Sequence, residues 1–80
     1  YQTLVDKGLQ LWNGGNKTQA QEYFLASLKI RPDNPEAMFY AGRLYQDAGD
    51  TENANALFDK VVGEHGDTEY AERARNARGY

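Results

Sequence analysis

Residues 42–58 have the sequence GRLYQDAGDTENANALF, and residues 8–24, which lie 34 positions earlier, have the sequence GLQLWNGGNKTQAQEYF. In this register Gly15 matches Gly49, and Ala20 matches Ala54. The same shift pairs residues of similar character outside the two stretches: Leu4 with Met38, Leu28 with Val62, and Asp33 with Asp67. Self-similarity at a fixed period indicates a repeat protein in which each repeat is one supersecondary unit.

Apolar and small residues within each repeat recur at intervals of three or four, as in Leu4, Gly8 and Leu11. This spacing predicts amphipathic helices, two to a repeat. The segments 13–16 (NGGN) and 48–50 (AGD) separate the two helices of each repeat. Glycine accepts a positive φ at a helix end, and Asn16 or Asp50 can cap the helix that follows, so we predict tight turns and antiparallel helix pairs.

The segment 31–36 (RPDNPE) separates the two repeats. Pro32 ends a helix, Asp33 or Asn34 can cap the next one, and Glu36 forms a capping-box-like pair with Asp33. Residues 63–68 (GEHGDT) have the same role after the second repeat. The sequence therefore predicts five helices, near 1–14, 17–30, 35–48, 51–64 and 68–79.

The small residues allow two helices to approach closely, and the phenylalanines fill the space between helix pairs. This pattern resembles the tetratricopeptide repeat (TPR) family, whose period is also 34 residues. The matching positions are Gly8, Ala20, Phe24, Pro32, Gly42, Tyr45, Ala54 and Phe58. Departures from the family pattern are Leu4 and Met38 in place of Trp, Lys7 in place of Leu, Ser27 in place of Ala, and Gly66 in place of Pro.

The resemblance covers the whole chain and implies an all-α fold, a right-handed α-α superhelix of stacked helix-turn-helix repeats. We expect one domain over 1–80, with repeats at 1–34 and 35–68. Residues 69–80 would form a capping helix or part of a third repeat, since a solenoid needs a polar terminal element. The sequence begins with Tyr1 rather than Met, so we expect an excised part of a longer chain.

Composition limits the partners. The 80 residues include twelve acidic and nine basic ones, for a net charge of −3, which disfavours nucleic acid. No apolar run approaches the roughly 18 residues of a membrane-spanning helix. The chain has no cysteine, so neither a disulfide framework nor a redox compartment can be inferred, and localisation stays open. We expect a monomer with, at most, weak self-association.

The family resemblance implies a function in protein-protein interaction, with the first helix of each repeat lining a concave groove that receives a peptide or helix. Helical spacing also assigns Gln2, Glu36, Asp47 and Ala77 to this face. The predicted groove contacts are Val5, Leu9, Trp12, Asn13, Phe39, Arg43, Gln46, Tyr70 and Arg73. The aromatic members would bind apolar side chains, while Arg43, Arg73 and Asn13 would hold a peptide backbone or an acidic group.

Other interpretations of these residues remain open. The aromatic stripe could instead be a packing surface for further repeats, which would make the chain a structural or self-association segment without a separate ligand. Chaperone-binding members of the family clamp a C-terminal carboxylate with Lys, Asn and Arg residues on the groove helices. The matching positions, however, are Val5, Leu9, Tyr40, Tyr70 and Ala74, which offer no cation or amide, so a more apolar ligand is expected.

The residues needed for catalysis are scarce. His65 lies between Glu64 and Asp67 in a linker and is expected to be solvent-exposed, and no Ser-His-Asp or His-Glu-x-x-His arrangement occurs. The Gly14-Gly15 pair lacks the Lys and Ser or Thr of a phosphate-binding loop. Asp47, Asp50 and Glu52 are a weak oxygen set for a metal ion. We therefore expect no enzymatic activity, no cofactor and no metal.

Overall fold

The computed structural model of the chain describes residues 2–79, with the side chain of Gln2 excepted. These residues form five α-helices and, within that range, no strand: α1 (Gln2–Asn13), α2 (Lys17–Ile30), α3 (Pro35–Asp47), α4 (Thr51–Glu64) and α5 (Glu69–Arg78). The predicted all-α fold is confirmed. The bounds of α2 and α4 agree with prediction, whereas Ala48 and Thr68 are caps rather than helical residues. The predicted start at Tyr1 lies outside the described residues.

The turns inside the repeats have the predicted chemistry. Gly15 and Gly49 have φ of +87° and +84°, the left-handed region that favours glycine. After each of them the backbone N–H of Asn16 or Asp50 donates to the carbonyl of a residue five positions earlier, at 2.8 Å in both turns. The two repeats therefore reverse direction by the same hydrogen-bonded turn.

The caps of the helices differ from expectation in two places. Asp50 accepts a hydrogen bond from the backbone N–H of Asn53, but the equivalent Asn16 makes no side-chain cap. The cap of α3 is Asn34, which accepts from the backbone N–H of Glu36. Because the helix is capped one residue after Asp33, the predicted capping-box pair of Asp33 and Glu36 is wrong, and the Glu36 carboxylate is used elsewhere.

Each repeat is closed by a contact between a glycine and a phenylalanine. A Cβ atom on Gly8 would lie 2.7 Å from Cε1 of Phe24, and a Cβ atom on Gly42 would lie 2.7 Å from Cε1 of Phe58. Both rings are fully buried. Helices α1 and α2, and likewise α3 and α4, approach so closely that no larger side chain fits at these positions.

Two core clusters hold the stack together, and each combines the two helices of one repeat with the helix that follows them. The first contains Val5, Ala20, Phe24, Ala37, Ala41 and Leu44; the second contains Met38, Phe39, Ala54, Phe58, Val61, Ala71 and Ala74. Leu28, Tyr40 and Leu57 pack against both clusters and join them. Helix α5 supplies Ala71 and Ala74 to the second cluster, so it continues the stack as the first helix of a third repeat would.

The concave groove as candidate functional site

The concave face is built from the first helices of the repeats and from α5, which lies beside α3. At one end the hydroxyl of Tyr70 donates to Oε2 of Glu36 at 2.9 Å; at the other, Nε2 of Gln46 donates to the carbonyl of Ala77 at 2.8 Å. Residues 36 and 70 are 34 positions apart, so they hold the same position in successive repeats. These two bonds fix α5 alongside α3 in the repeat geometry.

An open groove of about 610 Å³ lies on this face. Its lining comes from α1, α3 and α5 and consists of Leu9, Trp12, Asn13, Phe39, Tyr40, Arg43, Arg73 and Asn76. Six of the nine predicted contacts are in this set. Of the others, Gln46 and Tyr70 make the hydrogen bonds between α3 and α5 that support the groove.

Val5 has no exposed surface and belongs to the first core cluster. The expectation that it is a groove surface residue is wrong, because the side chain points between the packed helices instead of into the concave face. Phe39, at the same position of the second repeat, is only 5% exposed and contributes mainly to the core beneath the groove. Gln2, also assigned to this face, has a side chain outside the described part of the chain.

Tyr40 and Asn76 line the groove but were not among the predicted contacts. Both could have been found from helical spacing, since Tyr40 lies three residues before Arg43 and Asn76 three residues after Arg73.

The floor of the groove is a connected set of aromatic rings. Tyr40 lies 5.3 Å from Trp12 at 90° and 5.2 Å from Phe39 at 65°, both centroid distances, and stacks on Phe24 at 5.6 Å. Phe39 and Tyr40 each lie 6.1 Å from Tyr70. These distances and edge or offset arrangements are favourable for aromatic pairs, so the floor is rigid. Trp12 keeps part of its surface exposed to the groove.

Burial and a carboxylate neighbour alter the acidity of Tyr70. Its pKa is raised well above the ordinary value of a tyrosine, first because the hydroxyl is removed from water and second because it donates a hydrogen bond to Glu36. The negative charge of Glu36 acts in the same direction. Tyr70 is therefore a neutral hydrogen-bond donor that supports the groove, and it is not suited to be a general base.

The family can now be established from the sequence match. A family model described as Tetratricopeptide repeat matches residues 15–77, which is most of the chain. The chain belongs to the tetratricopeptide repeat family. No curated protein and no solved structure gives a significant match. TPR domains form a non-catalytic scaffold fold for protein-protein interaction. Membership of this family supports the expected class of function and indicates that the partner is a protein.

Outside the groove, the TPR chain has a second cleft of about 480 Å³ between α2 and α3, which sequence analysis did not predict. Leu25, Leu44 and Tyr45 form its apolar part, and Lys17 and Asp47 form an ion pair at 3.2 Å on its rim.

Neither catalysis nor metal binding is expected for the remaining polar residues of the TPR chain. His65 is half-buried at the end of α4 instead of exposed as expected, and its carbonyl accepts hydrogen bonds from the backbone and hydroxyl of Thr68. Among residues 2–79 no three His, Cys, Asp or Glu side chains group closely enough to hold a metal ion. No helix within this range has the length and apolar character needed to cross a membrane.

Proposed function

We propose that this TPR domain binds an extended or helical segment of a partner protein in the concave groove, without catalysis. The observation that carries the proposal is the exposed part of Trp12, which lies over a rigid aromatic floor in a groove lined from three helices. A preformed surface lowers the ordering cost of binding, and a large aromatic side chain supplies contact area with few rotamers to fix.

The groove provides two kinds of contact that a peptide needs. Leu9, Trp12 and Tyr40 offer apolar surface for a side chain, and the exposed amides of Asn13 and Asn76 can donate to and accept from a peptide backbone. The groove is short, because only α1, α3 and α5 contribute to it. We therefore expect a modest affinity with a micromolar Kd, which corresponds to a binding free energy of about −6 to −8 kcal/mol.

The test uses Trp12 both as reporter and as target, since it is the single tryptophan of the chain. A random peptide library is selected on the wild-type domain, and enriched peptides are titrated while Trp12 emission is recorded. We expect a shared apolar position in the enriched peptides and a saturable change in emission.

The control is a matched aromatic truncation. Tyr23 is half-buried like Trp12 but lines a separate cleft between α1 and α2. Binding of the enriched peptides, measured by calorimetry, should weaken at least tenfold in Trp12→Ala and stay unchanged in Tyr23→Ala, with both folds checked by circular dichroism. Equal loss in both variants, or no enriched peptide, would refute binding in the groove.

A second candidate function is self-association, which one observation favours. The cleft at Tyr23 is also lined by Leu4, Lys7 and Leu11. The equivalent of Lys7 in the second repeat is Ala41, which is fully buried against residues of the first repeat. A second copy could cover this face. Lys7, however, holds the repeat position at which Ala41 is fully buried. A second copy that covered this face would bury the charge of Lys7, which disfavours such contact.

Sedimentation velocity over a range of concentrations separates the two functions. The ligand-binding function predicts a monomer at all concentrations. A dimer that strengthens in Lys7→Ala, where the charge is removed from the uncovered face, would instead support self-association.

A further inference from the structure

The charges that line the groove differ from those of the chain as a whole. The chain has twelve acidic and nine basic residues, yet the ionisable side chains of the groove that carry charge are Arg43 and Arg73, and none of the described lining residues is Asp or Glu. A positive groove in an otherwise acidic surface concentrates its field at the site where a ligand would lie. Charge complementarity therefore favours a negative ligand.

Arg43 is held in the groove without an internal counter-ion among the described residues. Its Nε atom is shielded from solvent and has no hydrogen-bond acceptor. Carboxylates on the same helix are already used, since Glu36 accepts from Tyr70 and Asp47 pairs with Lys17. A donor that has lost water and gained no partner is satisfied when a ligand supplies the acceptor.

Arg73 approaches the groove from α5. Its guanidinium lies 5.5 Å from the ring centroid of Tyr70 and 3.4 Å from Oε2 of Glu69, in a pair whose side chains are 49% and 65% exposed. An exposed pair of this kind is weak and exchanges readily. The ring contact keeps the guanidinium near the groove, so a ligand carboxylate can replace Glu69.

We infer that the ligand is an acidic protein segment, in which a carboxylate is bound by Arg43 with support from Arg73 and an adjacent apolar side chain lies against Leu9 and Trp12. This inference rests on the proposed function of the same groove. The two arginines do not hold the clamp positions known from chaperone-binding members, Val5, Leu9, Tyr40, Tyr70 and Ala74. The carboxylate therefore need not be at a chain terminus, and an internal Asp or Glu satisfies the site.

The test compares three synthetic peptides of equal length, each with one Leu-Phe pair flanked by glutamate, glutamine or lysine and with blocked ends. Affinity is measured by calorimetry and by Trp12 emission. We expect the glutamate peptide to bind roughly tenfold more tightly than the glutamine peptide, because charge-assisted hydrogen bonds to arginine are the stronger kind. Added salt should reduce this difference, and the lysine peptide should bind least well.

Matched variants assign the effect to the groove. Arg43→Gln and Arg73→Gln should each bring the ratio between the affinities for the glutamate and glutamine peptides close to one. Arg75→Gln makes the same charge change on α5 at an exposed residue that does not line the groove. It should leave the preference intact, and an equal loss in Arg75→Gln would attribute the preference to net charge and overturn the inference.

The remaining outcomes separate the two proposals. If the glutamine peptide binds as well as the glutamate peptide, the acidic ligand is excluded, whereas binding in the groove stands. If none of the three peptides binds and the library selection also enriches none, the proposed function itself is refuted.

Discussion

At the scale of single residues, the two glycine-phenylalanine contacts set the distance between the helices of each repeat. A methyl group on Gly42 would lie 2.7 Å from Cε1 of Phe58, a ring that is fully buried. Such overpacking typically costs about 1 to 3 kcal/mol, whereas alanine gains roughly 1 kcal/mol over glycine inside a helix, so the net effect is a loss of up to about 2 kcal/mol.

We predict that Gly42→Ala lowers the free energy of unfolding by about 1 to 2 kcal/mol, as measured by urea denaturation. Gly63 provides the matched control, because it lies near the end of α4, where a methyl group would meet no neighbouring side chain or helix within 4 Å. Gly63→Ala should raise stability by up to about 1 kcal/mol. A stabilising Gly42→Ala would show that the phenylalanine ring can be displaced cheaply.

Tyr70 gives the stability of the domain a pH dependence at the alkaline end. Because its pKa is raised in the folded state, the folded protein retains a proton that the unfolded chain loses above about pH 10. The contribution of Tyr70 is therefore complete below pH 10 and decreases as the pH rises further.

We predict that wild-type protein loses stability more steeply than Tyr70→Phe between about pH 10 and 11, where the phenylalanine variant has no proton to release at this position. The difference in tyrosinate absorbance between wild type and Tyr70→Phe should show that the pKa of Tyr70 lies above the ordinary value of a tyrosine. Parallel pH profiles for the two proteins would contradict the role assigned to the bond with Glu36.

At the scale of helices, the two repeats differ in how their second helix is capped. Asp50 accepts from the backbone N–H of Asn53 at 3.2 Å, and its other oxygen accepts from the Asn53 side chain at 2.7 Å. Asn16, the equivalent residue, caps nothing with its side chain. Asp50 and Asn16 hold the same repeat position, but only the side chain of Asp50 stabilises its helix by capping.

We predict that Asp50→Ala costs about 1 kcal/mol and lowers the melting temperature by roughly 4 to 8 °C, measured by circular dichroism. Asn16→Ala should stay within about 0.5 kcal/mol of wild type. A comparable loss in Asn16→Ala would mean that this residue caps α2 in solution.

Sequence predicted the helices well because their ends carry strong local signals. Gly15 and Gly49 adopt positive φ, and Pro35 begins α3 as expected. The groove was harder to predict, because the exposure of a helix face depends on how neighbouring helices cover it. Val5 and Phe39 share a repeat position that the spacing of their own helices assigns to the concave face, yet the stack buries both.

At the scale of the whole molecule, Tyr40 connects the two repeats. It packs against both core clusters and contacts the rings of Trp12, Phe24, Phe39 and Tyr70. In a stacked-repeat protein, cooperative unfolding depends on the interface between neighbours. Tyr40 is therefore expected to determine whether the repeats unfold together.

We predict that Tyr40→Ala lowers stability by about 2 to 3 kcal/mol and separates the unfolding curves followed by Trp12 emission and by helical circular dichroism. The two curves should coincide in wild type. Tyr23→Ala, which truncates a tyrosine outside this ring network, should reduce stability less and keep the curves coincident. Coincident curves in Tyr40→Ala would show that the other contacts between the repeats suffice to couple them.

The glycine-phenylalanine contacts have one more consequence, because the molecule contains the same contact twice. The closest distance is the same for Gly8 with Phe24 and for Gly42 with Phe58. The surroundings differ, because α3 and α4 lie between α2 and α5, whereas α1 packs mainly against α2 among the described helices. The same substitution made at Gly8 and at Gly42 would therefore compare one local contact in two different surroundings within a single molecule. The difference between the two losses in unfolding free energy would measure how much less a repeat can adjust to an added methyl group when helices pack on both sides of it.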